Sequence, residues 1–128
     1  NVGKCKLTVP ETGEGVRVDD GYHEGLEIPI HYDPMIAKLI VHAPSRMEAI
    51  EGLNEAIKQY EIEGVDTTLE FGQFAITHQD FRSGHFDTHF VEKHLQEFLD
   101  QQEHINRTLA RFAAWYYERE KDRLTLTG

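Results

Sequence analysis

The hydrophobic period of this chain changes at Ser45, and that change limits the folds open to it. Upstream, from Gly15 to Ala43, apolar residues recur at every second position. Leu26, Ile28 and Ile30 fall on one strand face, and Met35, Ala37, Leu39, Val41 and Ala43 on another. Downstream, Ala49, Ile50, Leu53, Ala56, Ile57 and Tyr60 recur at steps of three and four, the spacing of an amphipathic helix. Strands come first and helices afterwards, without strand–helix alternation, so the pattern predicts an α+β fold: an antiparallel sheet with packed helices.

Local signals set the expected boundaries. A first strand is expected over Lys4–Val9, and Thr12-Gly13, Asp20-Gly21 and Asp33-Pro34 are turn signals between strands. Pro29 and Pro34 fall near strand ends, where a missing N–H does least harm. Ser45 and Glu48 form a capping box at the start of the first helix. After a short segment from Glu61 to Val65, a second helix is expected to begin near Asp66 or Thr67. It carries Leu69, Phe71, Phe74, Ala75 and Ile76 as its apolar residues and ends before Gly84.

Between Gly84 and Gly128 there is neither glycine nor proline, so a helix capped by Asp87 or Thr88 has nothing to stop it. Val91, Leu95, Phe98, Gln102, Ile105, Leu109, Phe112 and Tyr116 step alternately by four and three along it, a heptad seam with one polar interruption. Two readings follow: a long helix or helical pair packed on its own domain, or a docking surface for another subunit. The expected division is a domain over residues 1–95 and a helical extension over 96–128.

Composition excludes some classes of function. The net charge of −10 repels phosphate backbones and anionic lipid, and the basic residues are scattered among acids, so neither a nucleic-acid nor a membrane role is expected. No apolar run approaches the roughly 20 residues that span a bilayer, and no signal sequence opens the chain; a cytoplasmic protein is expected. Cys5 stands alone, which rules out an internal disulfide or a cysteine-based zinc site. The chain opens at Asn1 directly in a strand-like stretch, which reads as a fragment boundary.

Motifs for self-contained catalysis are missing: there is no Gly-rich phosphate loop, no GxSxG elbow and no HExxH. Among the eight histidines the tightest group is His85, His89 and His94, but the expected helix start falls after His85. Solvated or capping histidines are therefore expected there, and no metal. Glu11, Glu14, Asp19, Asp20, Glu24 and Glu27 could hold an acid/base pair or a cation, and read more simply as the wet face of the sheet.

One ordered series of motifs is specific. It runs Gly15-Val16-Arg17-Val18-Asp19, Gly21, Gly25, Ile28-Pro29, then Tyr32-Asp33-Pro34-Met35-Ile36-Ala37-Lys38-Leu39-Ile40. It continues through Arg46 to Ala49, Ile62-Glu63-Gly64-Val65 with Thr67-Thr68, and Phe81, Gly84, Phe86-Asp87-Thr88 and Phe90. Over about three quarters of the chain this resembles the C-terminal domain of biotin carboxylase, as found in acetyl-CoA, propionyl-CoA and pyruvate carboxylases.

The resemblance implies a fold of the biotin carboxylase C-terminal type, a rudimentary hybrid or barrel-sandwich. It also implies an enzyme that uses ATP and magnesium to activate bicarbonate and carboxylate biotin held on a carrier domain. It assigns catalysis to Arg17, facing the ureido oxygen of biotin or bicarbonate. A guanidinium suits this role, because it stays charged and presents a planar fork of donors to an oxyanion. Without the resemblance, Arg17 would read as an exposed strand arginine paired with Asp19 or Asp20.

The resemblance further places ATP and magnesium on upstream nucleotide-grasping domains, and implies a carboxyltransferase partner. It also implies a homodimer interface at His42 to Arg46, with Arg46 facing an acidic partner or making a salt bridge within the chain. Within the Tyr32–Lys38 motif, Asp33-Pro34 should fix a turn and Met35 and Ile36 should enter the core. Lys38 should pair with a carboxylate on the neighbouring strand and carry no biotin, since it lies within a strand pattern. Asp66 stands where the family often has a basic residue, and beyond about Gln96 the resemblance fades.

Overall fold

The computed structural model describes residues 6–21, 23–25, 35–64 and 66–126. Expectations for Cys5, for Glu27, and for the strand and turn over residues 26–34 lie outside these residues. The chain forms two compact units, Asn1–His85 and Phe86–Gly128.

In the first unit, β1 (Lys6–Thr8) pairs antiparallel with β4 (Glu61–Glu63), and β2 (Val16–Asp20) pairs antiparallel with β3 (Ala37–Val41). The single sheet expected from the sequence is thus, among the described residues, two separate two-stranded ladders. The short strand β4 carries one apolar residue between two glutamates and gives no periodic signal. Its partner lies more than fifty positions earlier in the chain.

The β2–β3 hairpin has two chemically distinct faces. Val16 and Val18 of β2, with Ala37, Leu39 and Val41 of β3, are half-buried, and the residues between them are exposed. The inner face is covered by α1 (Arg46–Gln59), which approaches Val41 so closely that a Cβ on Gly52 would lie 3.1 Å from its Cγ1. The expected alternation over Ala37, Leu39 and Val41 is therefore present. Met35 departs from it and is 52% exposed, because the ladder ends at the Ala37–Asp20 pair and Met35 lies beyond it.

Helix α1 begins as the sequence predicts. Ser45 has extended backbone, and its hydroxyl accepts the Glu48 N–H at 3.2 Å, the serine half of the capping box. Ile50, Ala56 and Tyr60 are buried from α1 and its C-cap, joined by Ile76 from α2 (Leu69–Thr77). Gln73 donates to Asn54 at 3.3 Å between the two helices.

The second helix does not run unbroken to Gly84. It ends at His78, whose backbone is extended (φ −67°, ψ 138°), and α3 (Gln79–Ser83) starts afresh with the His78 ring accepting the Asp80 N–H at 3.1 Å. The break carries neither glycine nor proline, so nothing in the sequence marks it.

The second unit is a single helix, α4 (Phe90–Leu126). Asp87 caps its approach, its carboxylate accepting the His89 N–H at 2.9 Å. Pairs three and four residues apart lace the surface, among them Glu103–Arg107 at 2.5 Å and His94–Glu97 at 3.4 Å. The predicted seam is exposed over most of its length, from Val91 and Leu95 to Leu109, Phe112 and Tyr116. No described helix is long and apolar enough to cross a membrane.

Candidate functional site

The outer face of the β2–β3 hairpin gathers the polar groups that the sequence singles out. Arg17 and Asp19 alternate outward from β2, and the register sets Ile40 opposite Arg17 and Lys38 opposite Asp19. The Arg17 side chain is 69% exposed and donates from Nη2 to Asp19 Oδ2 at 3.0 Å. Lys38 thus stands across the ladder from the carboxylate of Asp19, which is bonded to Arg17. Directly opposite antiparallel residues have Cβ atoms about 5 Å apart, within reach of a long side chain. Asp20, the alternative partner for Arg17, follows Asp19 by one residue and so points from the other side of the strand.

Gly15 holds this face in place. It has φ +90°, accepts the His42 N–H at 2.8 Å, and sits so close to β3 that a Cβ would lie 2.6 Å from the His42 carbonyl oxygen. Only glycine meets both demands without strain, which gives a physical reason for glycine two residues before Arg17.

Arg46 lies just beyond the same end of β3, past Val41 and His42, at the first turn of α1. Its guanidinium stacks on the Phe81 ring with the centroid 5.1 Å away, donates to the Arg82 carbonyl at 2.7 Å, and also donates to the Phe81 carbonyl. The salt bridge from this region to an acid of α1 is made by Arg82, which reaches Glu51 at 3.1 Å. Carbonyls at the end of α3 thus accept from the Arg46 guanidinium.

The other candidates are dispersed or occupied. Glu11, Glu14, Asp19, Asp20 and Glu24 are exposed. His85 contacts the Ser83 hydroxyl at 3.1 Å, and His89 contacts Glu92 at 3.3 Å. His78, which the sequence did not single out, has a structural task as the acceptor for the Asp80 N–H. On the inner side of the hairpin, a cavity of about 400 Å³ is lined by Ala37, Leu39, Leu53, Ile57, Tyr60 and Leu69 among others. Arg17 and Lys38 lie on the other face of the strands.

Comparison with known proteins agrees with the motif series. The chain is 46% identical over 91 residues to a biotin carboxylase of Halalkalibacterium halodurans, covering 71% of this chain and 20% of that protein. It is 35% identical over 130 residues to the propionyl-CoA carboxylase alpha chain of Ruegeria pomeroyi, covering 98% of this chain and 19% of the relative. The chain therefore spans about a fifth of the length of these relatives.

Among solved structures, it resembles the biotin carboxylase domain dimer of the 2-oxoglutarate carboxylase of Hydrogenobacter thermophilus, in complex with MgADP, ADP and bicarbonate. The TM-score is 0.70 at 38% identity, over 75% of this chain and 21% of that one. The family model for the biotin carboxylase C-terminal domain matches residues 1–93. The chain belongs to the biotin carboxylase C-terminal domain family.

Proposed function

We propose that this chain forms one wall of the biotin and bicarbonate site of an ATP-dependent biotin carboxylase, with Arg17 as its catalytic residue. The observation that carries the reading is the placement of Arg17. It is held on the uncovered face of a hairpin whose other face packs against helices, with its guanidinium directed away from the core. That geometry suits contact with a group brought by another domain, and the charge and donors of a guanidinium fit a ureido oxygen or a bicarbonate anion. The similar 2-oxoglutarate carboxylase domain has been solved with bicarbonate bound.

Bound biotin, delivered on a carrier domain, supplies the nitrogen that takes the carboxyl group. Arg17 would offer fixed positive charge and a planar fork of donors to the ureido oxygen of that biotin, a fork that lysine lacks. ATP and magnesium fall to nucleotide-grasping domains outside this stretch. Changing Arg17 to Gln in the complete carboxylase is the test. Biotin carboxylation should fall about tenfold or more with the fold intact, and near-normal turnover would overturn the assignment.

A second reading concerns assembly, and the exposed seam of α4 favours it. Residues 1–95 would be the carboxylase domain, and 96–128 an extension that docks the carboxyltransferase. The likeness to the propionyl-CoA carboxylase alpha chain, unlike that to the biotin carboxylase, extends over 98% of the chain and so takes in α4. Arg46 and the neighbouring strand end would contribute to a two-fold homodimer. Both readings are compatible with one enzyme.

A further inference from the structure

We propose that Asp19 is a positioning residue that sets the direction of the Arg17 guanidinium before the anionic target arrives. The inference rests on the reading of Arg17 given above and deepens it. Arg17 and Asp19 are two positions apart on the same strand face, and Asp19 Oδ2 receives the Arg17 Nη2 proton at 3.0 Å. The side chains remain 69% and 49% exposed, and an ion pair that open to water adds little to stability. Its consequence is geometric.

A free arginine on a strand samples many rotamers, and ordering it when the substrate binds costs entropy that one pre-formed contact removes in advance. The contact engages a single N–H. A guanidinium has five, and among the described residues the other donors of Arg17 are not committed to a partner. The tether thus aims the fork without consuming it.

A carboxylate beside a catalytic cation would ordinarily weaken its attraction for an anion. Here the register places Lys38 directly across from Asp19 on the same face. Asp19 thus has Arg17 bonded to it along the strand and Lys38 across the ladder, so a second cation of the same face stands opposite the carboxylate. Asp20 cannot substitute for Asp19, because it stands on the other side of the strand.

The test compares Asp19→Asn, Asp19→Glu, Arg17→Gln and the Asp19→Asn/Arg17→Gln double variant of the complete carboxylase, using free biotin as substrate and thermal melting as the fold control. Asp19→Asn should lower kcat/KM for biotin about threefold to tenfold with the melting temperature unchanged, and Asp19→Glu should restore most of the loss. In the Arg17→Gln background Asp19→Asn should have no further effect, because Asp19 acts only through Arg17.

Parental kcat/KM in Asp19→Asn would overturn the inference, and so would an equal loss in both backgrounds. If Arg17→Gln itself retains full turnover, the assignment of Arg17 fails and the positioning role of Asp19 fails with it. Loss in Arg17→Gln without loss in Asp19→Asn removes only the positioning role.

Discussion

The Arg46 guanidinium closes the end of α3: it lies 5.1 Å from the Phe81 ring centroid and donates to the carbonyls of Phe81 and Arg82. A cation in the first turn of α1 is unfavourable with respect to that helix. The same cation meets the last carbonyls of α3, where Phe81 also accepts the Gly84 N–H at 3.2 Å, so an awkward position in one helix serves as a further cap for the next.

Removing that side chain should therefore loosen α3 against α1. Arg46→Ala is expected to cost about 1–2 kcal/mol in urea denaturation, from two hydrogen bonds and a cation–π contact in a solvated setting. Arg46→Lys should recover less than half, since an ammonium cannot reach both carbonyls while stacking on the ring. Sedimentation of the complete carboxylase bearing Arg46→Ala separates this contact from the proposed interface. A lower mass would support the homodimer, and an unchanged mass would confine Arg46 to its role within the chain.

Gly15 makes a second prediction. Alanine there must accept φ near +90° and a Cβ 2.6 Å from the His42 carbonyl oxygen, so the hairpin has to shift. Gly15→Ala should destabilise the chain by about 2 kcal/mol or more. In the complete carboxylase it should also lower biotin carboxylation, because the displaced strand carries Arg17. Parental stability in a melting experiment would refute the steric argument.

Ser45→Ala isolates the helix cap. It removes the acceptor of the Glu48 N–H and should cost about 1 kcal/mol, with activity unchanged at temperatures well below the melting transition. Ser45→Asp should retain most of the stability, since a carboxylate accepts the same bond.

The seam of α4 can be tested by charge. Leu109, Phe112 and Tyr116 are 59%, 62% and 55% exposed, so Leu109→Glu with Phe112→Glu removes no buried contact and should leave helical circular dichroism nearly unchanged. If the seam docks the carboxyltransferase, the double variant should lose capture of that subunit in a pull-down while carboxylating free biotin normally. Undiminished capture would count against the docking role.

Much of the frame was legible because it rests on period. The alternation of Ala37, Leu39 and Val41, the Ser45 cap and the unbroken run into α4 each carry a local signal. The pairing of β4 with β1 and the break at His78 carry none, since one depends on contact far along the chain and the other on a side chain capping its own backbone. A single strand arginine also announces no chemistry by its spacing. The role proposed for Arg17 rests on likeness to a family, whereas its bond to Asp19 follows from two-residue alternation.

That same alternation makes the hairpin an all-or-nothing device. If β2 slipped by one residue against β3, Arg17 would turn toward the helices and Val18 toward water, and every contact on both faces would be lost together. Gly15, wedged against His42, therefore acts as a register pin, and the stereochemistry of one glycine decides on which side of the sheet the charge appears.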